Sequence, residues 1–495
     1  MGKTATEQYV LLPAQGLRAT DKSTSPEARA FLLRAHQAVG ADALNIDGGP
    51  APIRVVDSIG PDGAKLLEMS PESALAIRAR RPDLRIFPVV YYTPAVIAPE
   101  EVESRPTGRG AKASGPITLS IVSKKGTPVA NAFVVAFVDF KARTGAQGVT
   151  GADGKVSLAL GTSSIKLQRL YVYPLDANWS LIKKAITVKT GTQVVLNPLD
   201  LSYTDGLRSF YGNGDLKLGT GVRVAVVDTG VAAHPDLVIN GGANTVPGEN
   251  PKDFGDNGKA HGTHVAGIIA ARGTPPTGLR GVAPGVTLRA YRVFPKGQGS
   301  ASSFAIAKAI DLAIADKCDL INMSLGGGQP DPVLKTAVDD ARAAGSLCII
   351  ASGNDDRSPV SFPASESNAL AVSAVGRKGT FPASATSADE VAAPFGTDPA
   401  NFVAAFSNIG PQIDLIGPGV GIMSTVPGSY AEISGTSMAC PAVTGATARA
   451  IAGTSVIKMK RNVKRSDAIV AAVLAAASPL GVGVNFEGHG LPTPK

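Results

Sequence analysis

The stretch Val222-Arg223-Val224-Ala225-Val226-Val227-Asp228-Thr229-Gly230 decides the fold class. Its apolar run predicts a buried strand over 222–227. From about residue 205 onward, such strands alternate with helical patterns: strands are predicted at 288–293, 320–323 and 347–351, and helices at 262–271, 303–316 and 332–344. This alternation predicts a three-layer α/β domain over 201–495, in which helices cover both faces of a mostly parallel sheet.

Two different patterns precede this domain. Residues 1–96 predict an α+β unit, with helices at 25–39 and 72–80 and strands at 54–56, 65–69 and 86–92. Residues 97–115 are rich in Pro, Gly and charged side chains and predict a linker. Residues 116–200 contain short alternating runs separated by turns, which predict a small β-sandwich.

Composition excludes several classes of protein. The chain has 495 residues, of which 44% are hydrophobic and 18% charged, too apolar for a disordered protein. The net charge is +8, and residues 1–200 supply +7 of it, from 24 Lys and Arg against 17 Asp and Glu. This charge is spread too widely to predict a nucleic-acid interface.

The three cysteines, Cys318, Cys348 and Cys440, are too few and too far apart for a disulfide framework or a zinc knuckle. Pro and Gly residues interrupt the longest uncharged stretch, 468–486, so no membrane span is predicted. The N-terminus lacks the pattern of a signal peptide. A cytoplasmic location is therefore the expectation, with signal-independent export left open.

Two of the five histidines, His261 and His264, lie three residues apart at the start of a predicted helix. Such a pair suggests either a metal site or a catalytic base. The zinc-protease pattern requires a spacing of four and a glutamate, and neither is present here. No metal ligands are therefore predicted.

Asp228 follows the predicted strand at 222–227, at the sheet edge where α/β proteins bind ligands. Ser437 lies just before a predicted helix at 442–452, where backbone N–H groups favour a developing negative charge. Taken singly, Asp228 is better explained as a turn residue and Ser437 as a helix N-cap.

The residues together resemble the subtilisin-like serine proteases, the subtilase family. The resemblance rests on these blocks, in family order: Val226-Val227-Asp228-Thr229-Gly230, His261-Gly262-Thr263-His264-Val265-Ala266-Gly267, Gly281-Val282-Ala283-Pro284, Asn322-Met323-Ser324-Leu325-Gly326-Gly327, Ala351-Ser352-Gly353-Asn354 and Ser434-Gly435-Thr436-Ser437-Met438-Ala439-Cys440-Pro441. It covers about 205–495 and implies a serine endopeptidase that acts on proteins or peptides through an acyl-enzyme.

The resemblance implies a role for each matching residue. Ser437 is expected to be the nucleophile, His261 the general base and Asp228 the residue that orients it. Asn354 is expected to donate to the oxyanion together with the Ser437 N–H. His264 is expected to be a packed core residue.

The substrate-binding residues follow from the same resemblance. Ser324-Leu325-Gly326 matches the edge segment that pairs with the substrate backbone, and Ser361 matches the floor of the main specificity pocket. The loop at 273–278 takes the place of a calcium loop but lacks its Asn ligands. Calcium binding elsewhere stays open, with no site identifiable, and no other cofactor is expected.

The front of the chain resembles a subtilase prodomain of the inhibitor type over 1–96, by pattern only. This likeness implies a self-inhibited, self-processing zymogen whose own prodomain is an intramolecular inhibitor, cleaved within 92–115. An unrelated α+β domain is the alternative. The β-sandwich at 116–200 could bind a protein partner, position substrate or act as a spacer.

Two other functions are open at this point. A binding module could keep the fold without activity, although such proteins usually lose one of the three catalytic residues and none is lost here. Alternatively, the enzyme could stay latent until a partner engages the β-sandwich.

Overall fold

The computed structural model describes residues 6–20, 22–41, 53–104 and 116–494. In chain order they form an N-terminal α+β unit, a β-sandwich and a large α/β domain. Within the described ranges, no helix is both long enough and apolar enough to cross a bilayer.

The N-terminal unit is a four-stranded antiparallel sheet with two helices. Its elements are β1 (Glu7–Pro13), α1 (Pro26–Gln37), β2 (Arg54–Ser58), β3 (Lys65–Met69), α2 (Pro71–Arg80) and β4 (Leu84–Pro88). The strand order is β2-β3-β1-β4. Each helix begins with a proline after a serine N-cap, and the Ser25 and Ser70 hydroxyls accept hydrogen bonds from backbone N–H groups of the first turn. These two serines therefore fix where the helices begin.

The final strand of this region differs from the prediction of one strand over 86–92. β4 ends at Pro88, and a separate strand, β5 (Tyr91–Pro94), follows. Between them, the Val89 N–H donates within the unit, whereas the Val90 N–H donates to a serine of the α/β domain. The chain changes its partner at this point, and β5 leaves the unit for the α/β domain.

The second unit has seven strands in two packed sheets. They are β6 (Ile117–Ser123), β7 (Phe133–Asp139), β8 (Thr144–Val149), β9 (Lys155–Leu158), β10 (Ser164–Tyr173), β11 (Leu181–Lys189) and β12 (Gln193–Leu196). One sheet has the order β11-β10-β7-β8 and the other β12-β6-β9. Alternate residues of β6, namely Ile117, Leu119 and Ile121, are fully buried in the core between the sheets.

The α/β domain is built on a nine-stranded sheet of order β14-β15-β13-β17-β19-β20-β22-β21, with β23 also paired to β20. All its pairings are parallel except those of β22. The strands of the domain are β13 (Arg223–Asp228), β14 (Ile239–Asn244), β15 (Thr287–Arg292), β16 (Ala301–Ser302), β17 (Leu320–Met323), β18 (Leu325–Gly326), β19 (Leu347–Ala351), β20 (Leu370–Arg377), β21 (Val391–Phe395), β22 (Asn401–Ala404), β23 (Ile413–Pro418), β24 (Ile422–Val426), β25 (Ser429–Ile433), β26 (Ala477–Ser478) and β27 (Leu491–Pro492).

Its helices are α3 (Gly206–Tyr211), α4 (His261–Ala270), α5 (Ser303–Ala315), α6 (Pro332–Ala343), α7 (Thr436–Ile451), α8 (Val463–Ala475) and α9 (Val484–Glu487), with 3₁₀ turns at Thr386–Glu390 and Ser455–Lys458. Along β13, Val224 and Val226 belong to one buried cluster, while Ala225 and Val227 belong to another on the opposite face. Both faces of the sheet are therefore covered, and the predicted three-layer α/β fold with a mostly parallel sheet is confirmed.

Helix α7 begins earlier than predicted, at Thr436 rather than at residue 442, and it contains Pro441. A proline lacks the N–H that would hydrogen-bond the carbonyl four residues before it, here that of Ser437. The Ser324 hydroxyl donates to this carbonyl instead, at 2.9 Å. A tertiary contact thus allows the helix to include Ser437 in its first turn.

The expected linker at 97–115 is described only as far as Ser104, because 105–115 lie outside the described residues. The described part is in contact with both neighbouring units. The Ile97 N–H donates to the Ser434 carbonyl, and the Glu103 N–H donates to the Arg143 carbonyl. These residues are consequently not a free spacer.

Candidate active site

Asp228 and His261 meet where β13 ends and α4 begins. The His261 Nδ1 lies 2.7 Å from the Asp228 Oδ1, and both side chains are almost fully buried. Gly262 allows this approach, because a Cβ there would lie 3.1 Å from the Asp228 Cβ and 2.3 Å from the Gly230 carbonyl oxygen. The other ring nitrogen of His261, Nε2, is buried and has no hydrogen-bond partner. It is therefore available for a reacting group.

Ser437 lies in the first turn of α7, fully buried by the surrounding chain. Its hydroxyl donates to the Ser324 carbonyl at 2.9 Å. This hydrogen bond sets the resting orientation of the hydroxyl. Because the hydrogen can rotate about the Cβ–Oγ bond, the hydroxyl can also donate to another acceptor.

Asn354 follows β19 and is oriented by α7. Its side-chain oxygen accepts hydrogen bonds from the Thr436 N–H and the Thr436 hydroxyl, both at 2.9 Å. Its Nδ2 is buried without a partner. An amide held by its oxygen keeps its N–H groups fixed, and here they remain available to an acceptor.

The end of the N-terminal region occupies this cleft. β5 is the middle strand of a three-stranded antiparallel sheet, between β16 and β18. Thr93 and Pro94 pair with Gly326 and Leu325, and the Ala95 N–H donates to the Ser324 carbonyl at 3.1 Å. The three residues predicted to pair with a substrate backbone therefore pair here with the chain's own residues.

The Ala95 carbonyl reaches Ser437, the predicted nucleophile. It accepts a hydrogen bond of 2.9 Å from the Ser437 N–H. A Cβ on Gly435 would lie 2.7 Å from the Ala95 oxygen and 3.4 Å from the Asn354 Nδ2. Only a glycine at 435 leaves room for the Ala95 carbonyl. The sequence analysis did not predict this function, although Gly435 lies within the family block at 434–441.

Sequence reasoning also missed a pocket that holds Tyr92. This side chain is fully buried, with its ring centroid 6.2 Å from that of Phe362. Its hydroxyl lies 3.4 Å from both the Gln329 carbonyl oxygen and the Asp331 carboxylate. A Cβ on Gly328 would lie only 2.2 Å from the ring. The run Gly326-Gly327-Gly328 was the sequence feature that could have indicated this pocket, because Gly328 leaves room for the ring.

Ser361 lies below the same edge segment. Its hydroxyl donates to the Ser352 carbonyl at 3.0 Å, and a Cβ on Gly326 would lie 2.9 Å from its Oγ. Ser361 therefore lies directly behind Gly326, as part of the wall beneath the paired strand. The structure thus places it beside Gly326, another of the predicted substrate-binding residues.

His264 lies apart from this chemistry. Its Nε2 lies 3.1 Å from the Ile422 carbonyl oxygen and 3.2 Å from that of Ala431. Burial lowers the pKa of its imidazole to about 3, so the ring stays neutral at ordinary pH. The Nε2 then carries the proton and donates to these carbonyls, which makes His264 a core residue.

The described residues contain no group of three or more His, Cys, Asp or Glu side chains arranged to hold a metal. At the loop 273–278, the Asp236 carboxylate accepts hydrogen bonds from the Leu279 N–H at 2.8 Å and the Tyr430 hydroxyl at 2.9 Å. Both donors bond the same oxygen, Oδ2, and they tie this carboxylate to the end of the loop and to β25.

Comparison with known proteins agrees with this geometry. A profile of the subtilase family matches residues 219–479. Subtilisin BL of Lederbergia lenta is 43% identical over 232 residues, covering 46% of this chain and 76% of that protein. The alkaline protease of Alkalihalobacillus alcalophilus is 43% identical over the same length, covering 46% and 54%.

Subtilisin NAT of Bacillus subtilis subsp. natto is 40% identical over 237 residues, covering 46% of this chain and 55% of that protein. The family match covers more than half of the chain. With the buried Asp228–His261 pair, these likenesses lead to one conclusion: the chain belongs to the subtilase family and is a serine endopeptidase.

Proposed function

We propose that this endopeptidase is made as a self-inhibited zymogen that cleaves its own Ala95–Val96 bond. One observation carries the proposal: the Ala95 carbonyl accepts a hydrogen bond from the Ser437 N–H while Thr93 and Pro94 pair with the edge strand β18. This is the arrangement of a bound substrate whose next peptide bond lies at the nucleophile.

In the proposed reaction, the Ser437 hydroxyl turns from the Ser324 carbonyl to the His261 Nε2 and attacks the Ala95 carbonyl carbon. His261 accepts the hydroxyl proton, and Asp228 stabilises the resulting imidazolium. The carbonyl oxygen becomes an anion, which the Ser437 N–H and the Asn354 Nδ2 stabilise.

The intermediate then collapses. The Ala95–Val96 C–N bond breaks, and His261 gives its proton to the Val96 nitrogen. Water, deprotonated by His261, hydrolyses the Ala95 ester and restores the Ser437 hydroxyl. The same groups would act on protein or peptide substrates that replace the chain's own strand.

We further propose that the N-terminal unit inhibits the enzyme before and after this cut. The Arg18 guanidinium makes two hydrogen bonds of 2.8 Å to the Asp311 carboxylate of α5. The Lys308 ammonium lies 2.7 and 2.8 Å from the Asp57 carboxylate oxygens. These contacts do not depend on the cleaved bond, so the unit would keep its product-like tail in the cleft after cleavage.

The test is to follow processing of the purified full-length chain and to sequence the N-terminus of the product. We expect Val96 as the new N-terminus, and we expect Ser437→Ala to abolish both processing and labelling by a fluorophosphonate. Ser478→Ala, an exposed serine on β26, is the matched control and should process normally. Processing that persists in Ser437→Ala would contradict the assignment of the nucleophile, and a different terminus would contradict the assignment of the bond.

A further inference from the structure

The residues that follow the proposed cleavage point, Val96–Ser104, cross from the cleft to the β-sandwich. At the cleft, the Ile97 N–H donates to the Ser434 carbonyl at 3.3 Å. At the sandwich, the Ser104 carbonyl accepts from the Gly145 N–H at 2.9 Å. The segment is therefore held at both ends.

Its far end lies along β8, the outer strand of its sheet. The Glu103 N–H donates to the Arg143 carbonyl at 2.9 Å, and Ser104 forms a parallel bridge with Thr144. The Val102 N–H donates to the Gln147 side-chain oxygen at 2.6 Å. An outer strand has unpaired backbone groups, and the segment uses them as an added strand would.

Arg143 supplies the charge that matches this segment. Its guanidinium donates to the Glu100 carboxylate, and it also donates to the Glu101 carbonyl at 2.6 Å. The Glu103 carboxylate lies 3.8 Å from it. The guanidinium lies over the Phe137 ring, 4.9 Å from its centroid, which fixes its position.

An apolar contact adds to this pairing. Val102 packs on a cluster of side chains on the outer face of the sheet, which comprises Phe133, Val135, Phe137, Phe140, Tyr171, Tyr173 and Ile182. The hydroxyl of Tyr173 accepts a hydrogen bond from the Glu100 N–H at 3.2 Å. The outer face and edge of this sheet therefore contact three features of the segment: its extended backbone, its acidic side chains and the apolar side chain of Val102.

The middle of the segment is less tightly supported. A cavity of about 240 Å³ lies beside residues 97–100 and is also lined by Tyr173, Glu390 and Ser434. Binding is therefore concentrated at the two ends, the cleft and the sandwich. The number of residues between the cleft and the sandwich is fixed. Anchoring at the sandwich therefore limits which peptide bond of the segment can lie at Ser437.

We propose that Arg143, Thr144, Gln147 and Tyr173, here termed the Arg143 surface, form a second substrate-binding surface. It binds an extended acidic segment that begins five residues beyond the cleaved bond. In the zymogen this segment is 100–104, and its binding positions Ala95–Val96 at the nucleophile. The inference rests on the proposed self-cleavage and gives the β-sandwich a function in it.

The test compares processing rates of full-length variants refolded under identical conditions. Arg143→Glu and Glu100→Arg each place like charges together, and we expect each to slow processing about tenfold. The double variant, Arg143→Glu with Glu100→Arg, restores the opposite charges and should recover to within about threefold of the wild-type rate. Lys166→Glu, the same charge change at an exposed position of β10, is the control and should not change the rate.

Glu100→Arg guards against a folding defect, because this residue lies outside the sandwich strands. Thermal midpoints measured in the Ser437→Ala background check that each fold is intact. A wild-type rate in both single variants, or no recovery in the double variant, would overturn the proposal. Neither result would affect the proposed self-cleavage, which fails only if the Ser437→Ala chain is still processed or the cut lies elsewhere.

Discussion

The pocket that holds Tyr92 makes a quantitative prediction about substrate preference. Tyr92 is the fourth residue before the proposed cleaved bond, counting back from Ala95, and its ring is fully buried. Gly328 forms one wall: a Cβ there would lie 2.2, 2.6 and 2.9 Å from three ring atoms. Gly328→Ala should therefore exclude an aromatic side chain while leaving the pocket open to a small one.

The magnitude follows from burial. Full burial of a large apolar side chain contributes about 1.5–3 kcal/mol relative to exposure. Since about 1.4 kcal/mol corresponds to a factor of ten, the change should lower kcat/KM by about 10- to 100-fold for a substrate with tyrosine at this position. A substrate with alanine there has no ring to exclude, and its kcat/KM should stay within about twofold.

The assay uses the processed enzyme with two p-nitroanilide peptides, Tyr-Thr-Pro-Ala and Ala-Thr-Pro-Ala. Gly299→Ala is the matched control, because a Cβ there would contact nothing within 4 Å and the residue precedes β16, the other wall of the groove. An unchanged preference for tyrosine over alanine in Gly328→Ala would refute the reasoning. It would mean that substrates in solution do not follow the path of β5.

Two further predictions concern single side chains. Asn354→Ala removes an unpartnered buried donor, and we expect kcat on the same peptides to fall by about 10²–10³ with little change in KM; a decrease below tenfold would contradict its assignment to the oxyanion. Burial lowers the pKa of His264 to about 3, whereas the unfolded imidazole binds a proton below about pH 6.5. Stability should therefore fall as pH drops from about 6.5 towards 3, by about 1.4 kcal/mol per unit from this group. Urea unfolding of the Ser437→Ala chain with and without His264→Gln measures that slope, and identical slopes would contradict it.

Local sequence predicted most of the α/β domain because its strands and helices have clear patterns. It missed where β4 ends and β5 begins, although Pro88, which lacks an N–H for strand pairing, was a local sign of the break. The break is decided by distant partners: the Val89 N–H bonds within the N-terminal unit and the Val90 N–H bonds Ser303. Neither partner, Gln8 or Ser303, can be inferred from the local sequence pattern.

The same limit explains the start of α7 and the linker. A proline inside a helix removes one backbone hydrogen bond, which favours a helix that starts after Pro441. The Ser324 hydroxyl, 113 residues from Ser437, donates to the carbonyl that lacks this partner and allows the earlier start. Residues 97–104 have the composition of a linker, yet Arg143 and β8 give them partners. The sequence motifs named the candidate catalytic residues, whereas the residues that line the cleft depended on the path of the chain.

The anchoring of residues 97–104 has a consequence for the chemistry of the proposed first cut. When the Ala95–Val96 bond breaks, the new amine is not released into solution, because hydrogen bonds at Ile97 and Ser104 still hold its chain. A tethered amine has a high effective concentration near the acyl group. It competes with water for that group, so rejoining of the bond competes with hydrolysis. The cut is committed once the ester is hydrolysed or the amine leaves the cleft, so breaking the C–N bond does not by itself commit the molecule to maturation.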